Sequence, residues 1–171
     1  MHPSHVHPAA LPAEQLLREC DLRQLRRSGP GGQHRNKVET AVVLTHRPTG
    51  VKAEANERRS QAENRSVALL RLRLNLALEI RHSRASDETP SPLWQSRCRG
   101  SRIELSASHE DFPVLLAEAL DVLSACDADV KAAAAILHCT GSQLVKLLKK
   151  EPRAMLLLNR WRRERGLHPL Q

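Results

Sequence analysis

The sequence predicts an α+β fold, in which a small sheet with a hairpin and a long packed helix are followed by an all-α C-terminal helical extension. Two apolar segments, 41–46 and 51–55, flank a Pro-Thr-Gly turn, which is typical of a β-hairpin. A capped helical pattern follows over 60–81, and helical periodicity returns over 112–165. The 171 residues suffice for one medium domain, or for a small domain with an appendage.

The elements of the predicted sheet come first along the chain. Residues 13–18 are predicted as a short helix and 22–27 as a strand. The segment Ser-Gly-Pro-Gly-Gly-Gln at 28–33 is predicted as a loop, because its glycines and proline forfeit backbone order and a hydrogen-bond donor. The segment 41–46 is apolar with β-branched residues, and 51–55 alternates with period two, so the two predict a hairpin.

A long helix is predicted next. Ser60 and Glu63 have the spacing of a capping box, whose hydroxyl and carboxylate satisfy the first free amides of a helix. The helix is expected to run to about Arg81. Its apolar residues form two stripes: Leu69, Leu72, Leu76 and Ile80, and Val67, Leu70, Leu74 and Leu78. This apolar arc is wider than packing on one sheet requires, so the C-terminal helices are expected to pack on the second stripe.

The last third of the chain has helical patterns separated by short breaks. After an extended piece at 103–107, helices are predicted at 112–126, 130–137, 144–150 and 153–165. Residues 140–143 form a second capping box, and Gly166 is typical of a helix end. Residues 130–150 resemble a helix-turn-helix, although a small helical bundle gives the same pattern.

Charge favours an anionic partner. The chain has 27 Lys and Arg against 19 Asp and Glu, a net charge of +8 and a pI of about 10.0. Residues 1–86 hold 15 basic and 8 acidic side chains, 87–145 hold 4 and 9, and 146–171 hold 8 and 2. Aromatic residues make up only 2%, so a module that stacks bases on aromatic rings is not expected.

Several other classes of protein are not expected. No stretch approaches the roughly 20 apolar residues that a membrane span needs. The four cysteines are scattered without a Cys-x-x-Cys pair, so we expect reduced thiols and neither metal nor cofactor. The N-terminal segment lacks the basic start and apolar stretch of a signal peptide, and a cytoplasmic protein is therefore expected.

The most distinctive motif is Gly31-Gly32-Gln33. A tripeptide of this kind is common by chance, so its assignment depends on the residues around it. The matching pieces lie at 27–34, 36–37, 39–42, 45–46, 48–50, 56–58, 60–61 and 64–65. Together they resemble the catalytic domain of class I peptide chain release factors and of their small ribosome-rescue relatives. The resemblance covers about residues 20–80. The sequence departs from the family pattern at Arg35, Val38 and Thr40, which flank the motif.

The resemblance implies hydrolysis of the ester that joins a nascent peptide to tRNA, inside the ribosome. Gly31 and Gly32 would allow a close approach to RNA that a Cβ would block. The backbone N–H of Gln33 would stabilise charge on the leaving oxygen or oxyanion, which is worth about 2.7–4 kcal/mol, while its side chain would shape a water-sized space. Neither a Ser-His-Asp set nor paired carboxylates are evident in this segment.

The resemblance also implies the partners. They are large-subunit rRNA, peptidyl-tRNA and a methyltransferase acting on the side-chain amide of Gln33, with the chain expected to be a monomer. His34 and Asn36 are expected to fix the base of the loop, although His34 could equally be solvated. The candidate RNA-contacting residues are Arg26, Arg27, Ser28, Pro30, His34, Arg35, Asn36, Lys37, Arg58, Arg59 and Arg65.

These expectations give a domain plan and three functional hypotheses. Residues 1–12 are predicted as a flexible segment, 13–85 as the catalytic domain, 86–101 as a linker and 102–171 as the helical extension. Release factors carry a separate codon-reading domain for which these residues leave no room, so codon-independent ribosome rescue is expected. The alternatives are a ribosome- or RNA-binding adaptor without hydrolase activity, and a DNA-binding regulator that uses the helix-turn-helix.

Overall fold

The computed structural model describes residues 6–25, 41–84 and 88–171. The chain divides into two compact units, Met1–Glu79 and Ile80–Gln171. Within the described ranges, no helix combines the length and the apolar character required to cross a membrane. The predicted α+β fold is confirmed, with a small antiparallel sheet in the first unit and a mainly helical second unit.

In its described residues, 6–25 and 41–79, the first unit has one sheet and two α-helices. A short 3-10 turn, Pro8–Ala10, precedes helix α1, Ala13–Arg18. The strands are β1, Cys20–Leu25; β2, Ala41–His46; and β3, Lys52–Ala55, and helix α2 spans Gln61–Glu79. The strands are antiparallel in the order β1-β2-β3.

The predicted hairpin is formed by β2 and β3. Gly50 has a φ of +73° in the connecting turn, a conformation that glycine adopts without a Cβ clash. Val42 and Leu44 of the central strand are fully buried. Strand β1 begins at Cys20 instead of at residue 22, because Cys20 pairs with His46 at the far end of β2.

Helix α2 buries two residues of the first predicted stripe, Leu72 and Leu76, together with residues that were not predicted. Its buried residues include Asn64, Ala68, Leu72 and Leu76, each four positions from the next, whereas Leu69 is half-buried. Small Ala68 lets the helix approach the strands closely, so the buried line is set by fit as well as by hydrophobicity. The Ser60 hydroxyl accepts a hydrogen bond from the Glu63 N–H at 3.5 Å, as the capping box predicts.

The second unit contains the remaining helices and a two-stranded hairpin. These elements are α3, Pro92–Arg97; β4, Cys98–Arg99; β5, Arg102–Ile103; α4, Phe112–Ala125; α5, Val130–Ile136; α6, Gly141–Leu148; and α7, Pro152–Glu164. The four predicted C-terminal helices are therefore present. Helix α4 forms the centre of the core, with both Leu116 and Leu120 fully buried, and Gly166 has the positive φ of +69° expected at the end of α7.

The segment predicted as a linker, 86–101, contains α3 and β4. Trp94 is 1% exposed, and its indole Nε1–H donates to the carbonyl of Leu137 at 2.8 Å. The Ser91 hydroxyl caps α3 by accepting from the Trp94 N–H at 3.0 Å. Described residues from 88 onward thus belong to the folded second unit.

Two buried carboxylates of α4 hold the start of this unit. Glu118 accepts hydrogen bonds from the Ser91 N–H at 2.7 Å and from Arg84 at 3.0 Å. Asp121 forms an ion pair with Arg81 at 3.1 Å. Burial raises the pKa of Asp121 to about 6, because its effect exceeds that of the positive charge of Arg81, which lowers the pKa. These charges attach residues 80–84 and 88–91 to the core helix.

Candidate functional site

The paired strands fix where the motif-bearing segment begins and ends. Leu25, the last residue of β1, is paired with Ala41, the first residue of β2. Residues 26–40 therefore connect two neighbouring strands at one end of the sheet. Gly31, Gly32 and Gln33 fall in this connection and lie outside the described residues, so their catalytic role stays a prediction.

The turn that precedes α2 lies at the same end of the sheet. Strand β3 runs antiparallel to β2, and its last residue, Ala55, pairs with Val42. The chain therefore leaves the sheet beside the two ends of the 26–40 connection. Arg58 and Arg59 follow at once, and the N-terminus of α2 adds its positive dipole end. We refer to residues 56–60 as the arginine turn.

A buried amide fixes the arginine turn. Asn64 is fully buried, its Oδ1 accepts from the Arg58 N–H at 2.9 Å, and its Nδ2 donates to the Arg58 carbonyl at 2.9 Å. Arg71 is hydrogen-bonded to Glu57 at 2.6 Å. The backbone N–H of Asn56, followed by smaller contributions that include Arg71, lowers the pKa of the Glu57 carboxyl. The backbone of the turn is thus held from two sides.

The three predicted RNA-contacting residues that the structure describes are all accessible. Arg58, Arg59 and Arg65 are exposed, and none of their guanidinium groups forms an ion pair with a carboxylate in the described ranges. Exposed cations of this kind can bind phosphate oxygens. The other predicted contacts, Arg26, Arg27, Ser28, Pro30, His34, Arg35, Asn36 and Lys37, lie outside the described residues.

A second cluster of polar side chains in the first unit resembles a catalytic set, but it lies at the opposite end of the sheet from the paired residues Leu25 and Ala41. His46 is 1% exposed, with Nε2 3.1 Å from Glu19 Oε2 and Nδ1 2.8 Å from Thr49 Oγ1. His46 ends β2, five residues after Ala41, which is about 17 Å along a strand. These side chains therefore brace the hairpin, at the opposite end of β2 from the paired residues Leu25 and Ala41.

The described residues offer little other chemistry. No group of three or more His, Cys, Asp or Glu side chains in the described ranges is arranged to hold a metal ion. The four thiols are free, and burial, followed by the nearby Cys98, raises the pKa of Cys139 to about 11. A thiol with such a pKa is a poor nucleophile at neutral pH. What the described residues offer at this end of the sheet is a set of exposed guanidinium groups beside the anchored ends of the 26–40 connection.

Asn64 is a positioning residue to which the sequence prediction gave no role in the site. We expect Asn64→Ala to lower the free energy of unfolding of the first unit by about 1–3 kcal/mol, because the Arg58 amide and carbonyl would lose their partners. Asn64→Asp should also destabilise, because a carboxylate cannot donate to the Arg58 carbonyl. Urea titration followed by circular dichroism measures the change.

Ser66→Ala is the control for this prediction, since Ser66 is exposed on the same helix and bonds only locally, to the Ala62 carbonyl. Its effect should stay within about 0.5 kcal/mol. Equal stability of the Asn64→Ala and Ser66→Ala variants would show that the clamp on the arginine turn contributes nothing.

Comparison with known proteins places these observations in a family. The chain is 45% identical over 92 residues to Peptide chain release factor 1 of Acidiphilium cryptum, covering 50% of this chain and 26% of that protein. It is 44% identical over 77 residues to Peptide chain release factor PrfB1, chloroplastic, of Arabidopsis thaliana, covering 45% of this chain and 16% of that protein. The chain thus spans about a quarter or less of the length of these relatives.

The region shared with the family includes the whole sheet, the arginine turn and α2. The RF-1 domain matches residues 16–106, which is more than half of the 171 residues, and it contains both the 26–40 connection and the strands that anchor it. With the motif, its anchoring strands and the arginine turn in one continuous match, the chain belongs to the RF-1 domain family.

Proposed function

We propose that this chain is a release-factor-like hydrolase that cleaves the ester of peptidyl-tRNA within the ribosome. The observation that carries the proposal is the pairing of Leu25 with Ala41, which anchors both ends of the motif-bearing connection beside the arginine turn. Membership of the RF-1 family and the names of the relatives supply the substrate class.

The chemistry requires a water molecule, a donor and a route into an RNA cavity. Gly31 and Gly32 would let the backbone approach the ester, and the N–H of Gln33 would stabilise the charge that develops on oxygen. Arg58, whose backbone is held by Asn64, and the adjacent Arg59 would bind the phosphates around the entrance. A positioned water molecule can attack the ester without a nucleophilic side chain, so catalysis would come jointly from the ribosome and from residues 31–33.

The finer proposal is ribosome rescue, that is, release that does not depend on a stop codon. Its support is the helical second unit that accompanies the family region in this chain. That unit has a basic C-terminal part, residues 146–171, with 8 basic and 2 acidic residues. Such a surface is suited to RNA whatever codon is present.

The experiment compares release of a labelled peptide from ribosomes with a stop codon, a sense codon or no codon in the A site. We expect the wild-type rate to be similar in all three states. Release only at stop codons would remove the codon-independent part and leave the hydrolase standing. Absence of release in every state would overturn the hydrolase.

A second candidate is a ribosome-binding adaptor that has the domain but does not hydrolyse the ester. The exposed, unpaired guanidinium groups of Arg58, Arg59 and Arg65 favour it, because they can bind rRNA regardless of catalysis. Salt-sensitive binding to ribosomes without peptide release would support this candidate over the first.

A further inference from the structure

The second unit concentrates its positive charge at its C-terminal end, and only part of that charge serves the fold. Among residues 146–171, the side chains of Lys150, Arg162 and Arg165 are hydrogen-bonded to carbonyl or carboxylate oxygens of the same unit. Arg153 is engaged with Glu151 at 2.7 Å. These four side chains stabilise the helices of the unit and their ends.

The other four basic side chains face the solvent. They are Lys146, Lys149, Arg160 and Arg163, which we call the cationic face. Lys146, Lys149 and Arg163 form no ion pair or hydrogen bond within the ranges that the structure describes, and Arg160 lies 3.9 Å from Glu164. Desolvating these cations against an anion would disturb little of the fold.

The cationic face draws its residues from two successive helices, α6 and α7. Lys146 and Lys149 line an open groove of about 490 Å³ together with Leu170. Leu170 is bound to α7 by two hydrogen bonds, from its N–H to Asn159 Oδ1 at 2.7 Å and from Asn159 Nδ2 to its carbonyl at 2.8 Å. Because Asn159 and Arg163 are four residues apart, they share one side of α7.

The chemistry of this surface favours a phosphate backbone over exposed bases. Of the aromatic residues of the unit, Trp94 and Phe112 are each 1% exposed. Trp161 is half-buried, and the guanidinium carbon of Arg81 lies 5.9 Å from its ring centroid. No ring of the described unit is therefore fully exposed for base stacking, the interaction by which proteins hold single strands.

The helix-turn-helix pattern of α5 and α6 does not favour base reading either. A recognition helix reads bases through side chains at its N-terminus. Here Gly141 has no side chain, and Gln143 Oε1 accepts from the Ile103 N–H at 3.5 Å. The surface can therefore bind a backbone but has few side chains with which to recognise a sequence.

We propose that the cationic face, Lys146, Lys149, Arg160 and Arg163, is a docking surface for the phosphate backbone of double-helical RNA. The choice of RNA over DNA rests on the proposed function, since the ribosome is the RNA-rich partner. A-form helices are bound mainly through shape and backbone contacts, which is what two rigid helices with lysines and arginines supply.

The test measures binding of the full chain to a fluorescent RNA duplex by anisotropy. The duplex has about 16 base pairs, the length that a double-stranded RNA-binding domain spans. The salt concentration is varied from about 50 to 200 mM, over which phosphate contacts weaken strongly. We expect Lys149→Gln with Arg163→Gln to weaken binding about tenfold and to reduce the salt slope by about 2. The matched control is Arg99→Gln with Arg102→Gln, which removes the same charge from exposed residues of the β4–β5 hairpin.

Each outcome decides the proposal. Equal weakening by both double variants would overturn it, because net charge alone would then explain binding. Unchanged affinity of the Lys149 and Arg163 variant would also overturn it. Leu156, which is 68% exposed on α7, is the probe for a protein partner: Leu156→Ala should bind RNA as wild type does, and a loss matching that of the charge variant would contradict a backbone surface.

The DNA arm uses a duplex of the same sequence. Tighter binding to DNA than to RNA would overturn the proposal in favour of a DNA-binding surface. Because these measurements involve no hydrolysis, they are separable from the proposed function. RNA binding that requires the cationic face, combined with no peptide release, would uphold this inference while the hydrolase fails.

Discussion

Gly32→Ala is expected to reduce the single-turnover rate of peptide release by about a hundredfold or more. On the proposed mechanism, a Cβ at this position would clash with the RNA that Gly32 is to approach and would displace the neighbouring Gln33 N–H from the developing charge. Gln33→Ala keeps the backbone donor and removes only the side chain that is proposed to shape the water site, so the loss of rate should be smaller. Release is measured with protein saturating over ribosomes, so that binding defects do not enter.

Gly100→Ala controls for general damage in this experiment. Gly100 lies in the β4–β5 turn, where an added Cβ would meet nothing within 4 Å, although its φ of +59° makes the change locally strained. It should therefore release peptide at the wild-type rate. If Gly32→Ala and Gln33→Ala also do so, the catalytic role of the motif is overturned, and the adaptor becomes the better interpretation of the family resemblance.

The sequence was a good guide to the first unit because its elements obey local rules. The hairpin follows from alternation and a Pro-Thr-Gly turn, and the start of α2 follows from Ser60. The start of β1 at Cys20 depends on its pairing with His46. A local sequence pattern does not reveal which residues of two strands pair, so this start could not be predicted. The buried line of α2 likewise depended on small Ala68 facing the sheet.

The exposed arginines of the candidate site could be predicted from the sequence, but the hydrogen bonds that position them could not. Arg58, Arg59 and Arg65 were predicted as RNA contacts, and the structure describes all three as exposed. Asn64 belonged to the matching piece 64–65 but was given no role in the site, because an asparagine near a helix start is compatible with solvent exposure as well as with burial. Only the fold shows that its amide spans the Arg58 N–H and carbonyl. Hydrogen bonds that close a turn in this way have no periodicity to detect.

The segment around Trp94 shows the limit of composition as a guide. Serines and prolines at 86–92 resemble a linker, and helix α3 has only six residues, too few for a periodic signal. Tertiary packing decides this segment instead, through a large buried ring and a capping serine. Burying one aromatic ring removes roughly 150–250 Å² from water, which helps to order a helix of only six residues.

Trp94→Ala is accordingly expected to lower the free energy of unfolding of the second unit by about 3–5 kcal/mol. The loss combines the transfer of a large buried ring with the cavity it leaves and with the hydrogen bond to Leu137. Trp94→Phe retains much of the ring and removes the indole N–H, so it should cost about 1–3 kcal/mol by leaving the Leu137 carbonyl without that donor. Urea unfolding followed by circular dichroism separates the two contributions.

Leu93→Ala is the matched control, because Leu93 is the adjacent residue of α3 and is only half-buried. Its cost should be clearly smaller than that of Trp94→Ala, since less of the side chain leaves water on folding. If Trp94→Ala were no more damaging than Leu93→Ala, residues 88–101 would behave as the linker that their composition suggests. A much larger loss of stability for Trp94→Ala than for Leu93→Ala would instead mean that α3 is part of the core of the second unit. The Trp94 ring reaches the Leu137 carbonyl at the end of α5, so its removal would also loosen the packing of α4 and of the α5–α6 turn.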